Sequence, residues 1–235
     1  MAITDWPASE RPRERLLAHG AHALTPAELL AVFLRTGVAG TSAVALARQI
    51  LDHFGGLNAL LSAPLSAFTA IRGLGPAKFA QLQAALELAR RTLGEQLLER
   101  PVLTSPQCAR DFLRLSLARC PHEVFTVLFL DARHHLIAYE EMSRGTLTQA
   151  PVYPREIAKR ALQLNASALI LAHNHPSGQA KPSQDDIRLT HTLSDTLGKL
   201  DIRVLDHLIV AGNDIASLAE LGLLHGSNAE LTSIC

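Results

Sequence analysis

Two rhythms of apolar residues divide the chain. Up to about Arg100 they recur at the three- and four-residue spacing of helices, and from Val124 onward strand-like runs alternate with helical ones. In the first part, Thr25-Pro26-Ala27-Glu28 has the make-up of a helix start, with a Thr cap, Pro in the first turn and an early acid. LLAVFLRTG follows, with Gly37 as its stop. Ser42–His53 is helical in spacing and ends at Gly55-Gly56, and Leu57–Leu61 is a further short apolar segment. A short helix, PLSAFTAI, the turn Arg72–Lys78 and the long AKFAQLQAALELARR complete an all-helical domain over residues 1–100, which Pro101 closes.

Residues 101–235 read differently. SPQCARDFLRLSLARC is helical, VFTVLFL (Val124–Leu130) is strongly β-prone, and Asp131–His135 turns the chain into LIAYEEM as hairpin partner. His134 and His135 then sit exposed at the hairpin tip. Gly145–Thr148 reads as another short strand, and Pro154–Leu164 as an amphipathic helix. Ala168–Ala172 is a buried strand, Ile187–Leu200 a helix with His191 outside, and Asp201–Gly212 a strand before the closing Asp214–Leu224. Strands alternating with helices, some of them paired as hairpins, give an α/β domain with a mixed sheet.

Composition narrows the partners without naming one. With 48% hydrophobic and 19% charged residues, the 235-residue chain is globular. The formal net charge is zero, with ten Lys/Arg against eight Asp/Glu up to Arg100 and twelve against fourteen after it. No general pull toward nucleic acid follows from that balance. Cys108, Cys120 and Cys235 show no CxxC spacing, as expected for a reduced cytoplasm. The first residues hold no apolar signal core, and no window approaches 18 uncharged apolar residues, so a cytosolic protein is expected.

The chemistry concentrates where the apolar run Ala168–Ala172 ends in His173-Asn174-His175-Pro176. Side chains two apart on a strand share a face, so His173 and His175 present two imidazoles to one point past the strand end. Pro176 turns the chain away. Ser183 can cap the next helix, which puts Asp186 in its first turn with its carboxylate folded back toward the histidines. Two His and one Asp are ligands zinc accepts, and a fourth position left open marks a catalytic rather than a structural site. Ser183 and Asp186 are explained equally well by a capping box alone, and Asp185 competes with Asp186 for the ligand role.

HNHPSG followed by PSQDD resembles the JAMM motif, H-x-H-P…S-x-x-D, of MPN-type metallopeptidases, and HNHPSG in particular is similar to the bacterial RadC family, long labelled a DNA repair family. The likeness extends over FLRTG, GLGPAK, EVFTVLFLDARHHLIAYEEMSRGTL, PREIAKRALQLNASALILAHNHPSG and DIRVLDHLIVAG, nearly the whole chain. It implies an N-terminal helix-hairpin-helix-like domain and a C-terminal MPN (JAMM) domain. One Zn²⁺ per chain would be held by His173, His175 and Asp186, and the reaction would be hydrolysis of a peptide or isopeptide bond. Amide hydrolysis also needs a general base near the metal. The family's glutamate at the start of its first strand falls on Glu123, with Glu140 and Glu141 as competitors. Ser183 matches the family serine that donates a hydrogen bond to the developing oxyanion. Asn174, between the histidines, should point away from them. His207, in Asp206-His207, is either a partner to a ligand histidine or a core residue, and Tyr153 stands where relatives often have His.

Two other functions compete. Gly73-Leu74-Gly75 between helices resembles a helix-hairpin-helix, whose bare glycines let amides at the next helix start approach a DNA phosphate. Arg72 and Lys78 would add charge, and the contact of Gly73–Lys78 would ignore base sequence. A non-catalytic DNA-binding accessory or scaffold protein is thus the alternative, against which a plain αα-turn or a protein-docking hairpin explains the same residues. Leu74 is a core residue in each case. A nuclease or deaminase ranks last: the PCxxC set of zinc deaminases is missing, and two-metal nucleases need more carboxylates.

Overall fold

The structure is a computed structural model, and it describes residues 6–99, 101–102, 106–145 and 152–224. Two compact units divide the chain, Met1–Glu87 and Leu88–Cys235. The sequence pattern sets its boundary near Arg100, whereas by contacts the division falls inside one continuous helix.

The first unit is helical: α1 (Pro12–His19), α2 (Pro26–Leu34), α3 (Ala43–Phe54), α4 (Leu57–Ser62), α5 (Leu65–Thr69) and the beginning of α6 (Pro76–Glu99). The Thr25 start is a complete capping box. Its hydroxyl accepts from Glu28 N, and Glu28 Oε2 accepts from Thr25 N at 2.8 Å. Arg15 pairs with the same glutamate. The apolar faces meet in a core that includes Leu34, Ala47, Ile50, Leu60, Phe68 and Leu74. Helix α2 ends at Leu34 with Arg35 at φ +68°, two residues before the expected stop. Gly37 is required for a different reason: a Cβ there would meet the Thr41 carbonyl oxygen at 2.0 Å.

The α5–α6 hairpin stands as expected, with Leu74 buried. Gly73 sits at φ +89°, and a Cβ on it would lie 2.6 Å from Val38 Cγ1. Lys78 donates its ammonium to the Gly73 carbonyl at 2.7 Å.

The second unit carries a five-stranded mixed sheet in the order β2-β1-β3-β4-β5. Its strands are β1 (Val124–Leu130), β2 (Leu136–Arg144), β3 (Ala168–Asn174), β4 (Arg203–Ala211) and β5 (Asp214–Ser217). β1 runs antiparallel to both β2 and β3, β3 is parallel to β4, and β4 is antiparallel to β5. Every residue of β1 and β3 is buried, because helices cover both faces. On one face Val124, Leu128, Leu130, Ile170 and Ala172 pack with Leu93 and Leu97 of α6 and with Phe112, Leu113 and Leu117 of α7 (Pro106–Leu117). On the other, Phe125, Val127, Phe129, Leu169 and Leu171 pack with Ile157 and Ala161 of α8 (Pro154–Gln163) and Leu193 and Leu197 of α9 (Gln184–Gly198). Each such large side chain contributes about 1.5–3 kcal/mol by leaving water.

The strand expected over Gly145–Thr148 lies, from Thr146 on, outside the described residues, as does Cys235. His134 and His135 are at the β1–β2 turn, where Arg203 and Asp131 hold them. His191 is half-buried, with Nε2 2.9 Å from the Leu223 carbonyl oxygen. Among the described residues no helix is long and apolar enough to cross a membrane.

Candidate metal centre

Alternation along β3 decides which face each polar residue meets. His173 follows Leu169 and Leu171 onto the α8/α9 face, and Asn174 takes the α7 face. Beyond the strand, the His175 amide still bonds the Val210 carbonyl, so its ring emerges beside that of His173. Ser183 is the N-cap of α9, accepting from Asp186 N at 3.1 Å, while Asp186 Oδ2 accepts from Ser183 N at 2.7 Å. The capping box therefore aims the Asp186 carboxylate back at the histidines.

The ligand atoms of three side chains converge. His173 Nε2 and His175 Nε2 are 2.9 Å apart, Asp186 Oδ1 is 3.2 Å from the first, and Oδ2 is 3.4 Å from the second. Ligand atoms around a tetrahedral zinc, each 2.0–2.1 Å from it, stand about 3.3 Å apart. His173, His175 and Asp186 thus make a group able to hold a metal ion. Asp185, the competing acid, is exposed and pairs with Arg188.

The three side chains are largely buried. His173 is 1% exposed and stacked near-parallel on Phe125. Burial alone would raise the Asp186 carboxyl, yet the hydrogen bonds it accepts, that of the Ser183 hydroxyl among them, hold it far below the usual carboxylate range. The hydrogen bond to Asp186 pushes His175 up, aided by the Gln179 carbonyl and by the charge of Glu123. Each imidazole turns its other nitrogen to a partner: His175 Nδ1 lies 2.8 Å from Gln179 O, and His173 Nδ1 2.8 Å from His207 Nε2. His207 is at once a buried core residue and a partner to a histidine of the site.

The other expected residues divide by position. Phe125 pairs with His173 in the β1–β3 ladder, so two residues further out Glu123 falls opposite His175 on the same face. Glu140 is bound by Arg160 at 2.6 and 2.8 Å, and Glu141 by Arg144 at 2.9 Å through both oxygens. Tyr153 is exposed and precedes α8 as its N-cap. Asn174 is buried on the opposite face, as expected, where it ties down the loop ahead of β1. Its Oδ1 accepts from Val124 N at 2.8 Å, and its Nδ2 donates to the Cys120 and His122 carbonyls at 3.1 and 2.9 Å. Thr190 and the loop-fixing role of Asn174 escape the sequence pattern. Thr190 occupies a buried position of α9 that spacing alone fills with an apolar side chain.

Residues 103–223 match the RadC-like JAB domain family, and residues 3–80 match the UPF0758 N-terminal family. The chain belongs to the RadC family. A UPF0758 protein of Nitrosomonas eutropha is 57% identical over 224 residues, covering 95% of this chain and 100% of that protein. One from Azotobacter vinelandii is 59% identical with the same coverage. One from Ralstonia nicotianae is 59% identical over 222 residues, covering 94% of this chain and 99% of its own. As a RadC family member the chain has its helical part in the UPF0758 region and its mixed sheet, with the His173, His175 and Asp186 cluster, in the JAB region.

Proposed function

We propose that this chain is a zinc-dependent hydrolase of peptide or isopeptide bonds, with His173, His175 and Asp186 as its metal ligands. The observation that carries the reading is the convergence of two imidazole nitrogens and a carboxylate, with one ligand atom from each residue lying within 4.8 Å of the others. One strand end and one helix start deliver them, and three protein ligands would leave a bound zinc one coordination position for substrate. When bound, zinc supplies a Lewis acid that polarises a carbonyl and acidifies water.

The chain's own residues supply the proton handling. Glu123 takes a proton from the attacking water and hands it to the leaving amine. The strand register that sets it opposite His175 supports this, and Glu140 and Glu141 are both engaged by arginines. The Ser183 hydroxyl donates to the oxyanion of the substrate. Its cap bond from Asp186 N uses an oxygen lone pair, so capping and donation do not exclude each other. What must yield is the 2.7 Å bond from Ser183 Oγ to Asp186 Oδ2. The alternative, a DNA-binding accessory protein, draws little support from the hairpin, since the Lys78 ammonium is bonded to Gly73.

The test is cleavage of a defined peptide library by the zinc-loaded protein, read by mass spectrometry beside Glu123→Gln. Wild type should cleave, with turnover about 10²–10⁴-fold lower in the variant and zinc content equal. Equal cleavage by both proteins, or none by wild type, would refute the reading.

A further inference from the structure

The hydrogen bonds behind His173 leave little freedom to its proton. Thr190 Oγ1 lies 2.6 Å from the Asp186 carbonyl oxygen and 2.6 Å from His207 Nδ1. A hydroxyl has one proton to give, and a carbonyl can only accept, so that proton points at Asp186 O. The same oxygen must then accept from His207, which places a proton on His207 Nδ1. His207 is wholly buried, edge-on to Phe125, and among the described residues its ring bonds Thr190 and His173 and no carboxylate. An imidazolium there would be a buried charge without a partner, so the ring is neutral and its Nε2 bears a lone pair. His173 Nδ1, 2.8 Å from that lone pair, has to donate.

We infer that Thr190 and His207 are positioning residues that hold His173 in its Nδ1–H tautomer, leaving Nε2 bare toward His175 and Asp186. The inference rests on the metal reading for its purpose, though not for its geometry. Three hydrogen bonds run from the Asp186 backbone through Thr190 and His207 to His173, whose Nε2 faces the Asp186 carboxylate again. The helix turn that aims the carboxylate therefore also sets the tautomer of the imidazole facing it. His175 needs no such device, because its Nδ1 faces the Gln179 carbonyl directly. A bare His173 Nε2 and a carboxylate oxygen 3.2 Å apart repel unless a positive charge lies between them. The relay thus builds into the site a preference for a cation, because it denies His173 the alternative of carrying a proton there.

The test reads tautomers directly. In the metal-free chain labelled with ¹⁵N-histidine, long-range ¹H–¹⁵N correlation at alkaline pH should show His173 and His207 both as Nδ1–H, with Nε2 unprotonated. Thr190→Val removes the hydroxyl that orients His207, so both rings should become tautomer mixtures. Zinc affinity, measured by competition with a chelator, should fall about 10–100-fold. Thr190→Ser keeps the hydroxyl and should restore both tautomers and affinity, which a purely steric role for the threonine would not do. An Nε2–H His173 in wild type, or a Thr190→Val protein with unchanged tautomers and affinity, would overturn the inference. The expected tautomers in a wild type with no zinc affinity would uphold the relay and overturn the metal centre.

Discussion

Replacing Asn174 with Ala removes the bonds that fix the loop in front of β1. Asn174 is 2% exposed and makes three hydrogen bonds, to Val124 N, Cys120 O and His122 O. At about 0.5–1.5 kcal/mol each, with the Val124 amide left buried and unpaired, the loss should come to about 2–4 kcal/mol in the second unit. A typical urea dependence converts that to a midpoint lower by about 1–2 M. The sharper readout is amide hydrogen exchange at Val124, which should lose its protection in Asn174→Ala beyond the change at neighbouring β1 amides. Asn174→Asp separates the halves of the interaction. It keeps an acceptor for Val124 but sets a carboxylate against two carbonyl oxygens, so it should destabilise as much while leaving Val124 better protected than the alanine does. Unchanged Val124 exchange, with a stability loss below about 0.5 kcal/mol, would refute the idea that Asn174 anchors the loop bearing Glu123.

In the first unit, Gly73→Ala meets both a left-handed backbone and the Val38 methyl, and should destabilise by about 1–3 kcal/mol in thermal unfolding. Adding Val38→Ala should recover the steric part of that loss and leave the backbone part. For Glu28, burial alone would raise the carboxyl, but Thr25 and Arg15 together hold it below its ordinary value of 4.5. Its stabilising contribution is therefore present above that value and lost as pH falls below it, through the lowered value of the folded state. Acid unfolding of the first unit should be steeper below about pH 4.5 in wild type than in Glu28→Gln, and identical acid limbs would count against it.

How much of this was legible in the sequence depends on how local each cause is. The Thr25 cap, the hairpin at Asp131–His135 and the shared face of His173 and His175 are set by neighbours a few residues away, and the residue types announce them. Contacts between distant segments are not announced. Nothing breaks helix α6 before Pro101, so its spacing hides that Leu82 belongs to one core and Leu93 and Leu97 to another. His207 looks equally like a filler of the core until the parallel β3–β4 register brings it, 34 residues on, against His173. Gly37 reads as a helix stop, but its cause is the backbone at Thr41. The candidate ligands come from one short stretch, Ala168–Asp186, and so stand out in the sequence, whereas Thr190 and His207, the residues behind His173, lie beyond it.

Whether His173, His175 and Asp186 hold a metal is read most directly by elemental analysis of the purified chain beside His175→Ala and Asp186→Ala. About one zinc per wild-type chain is expected, lost in both variants. A folded wild type that takes up no zinc, or variants that retain it, would rule out these three residues as a metal centre.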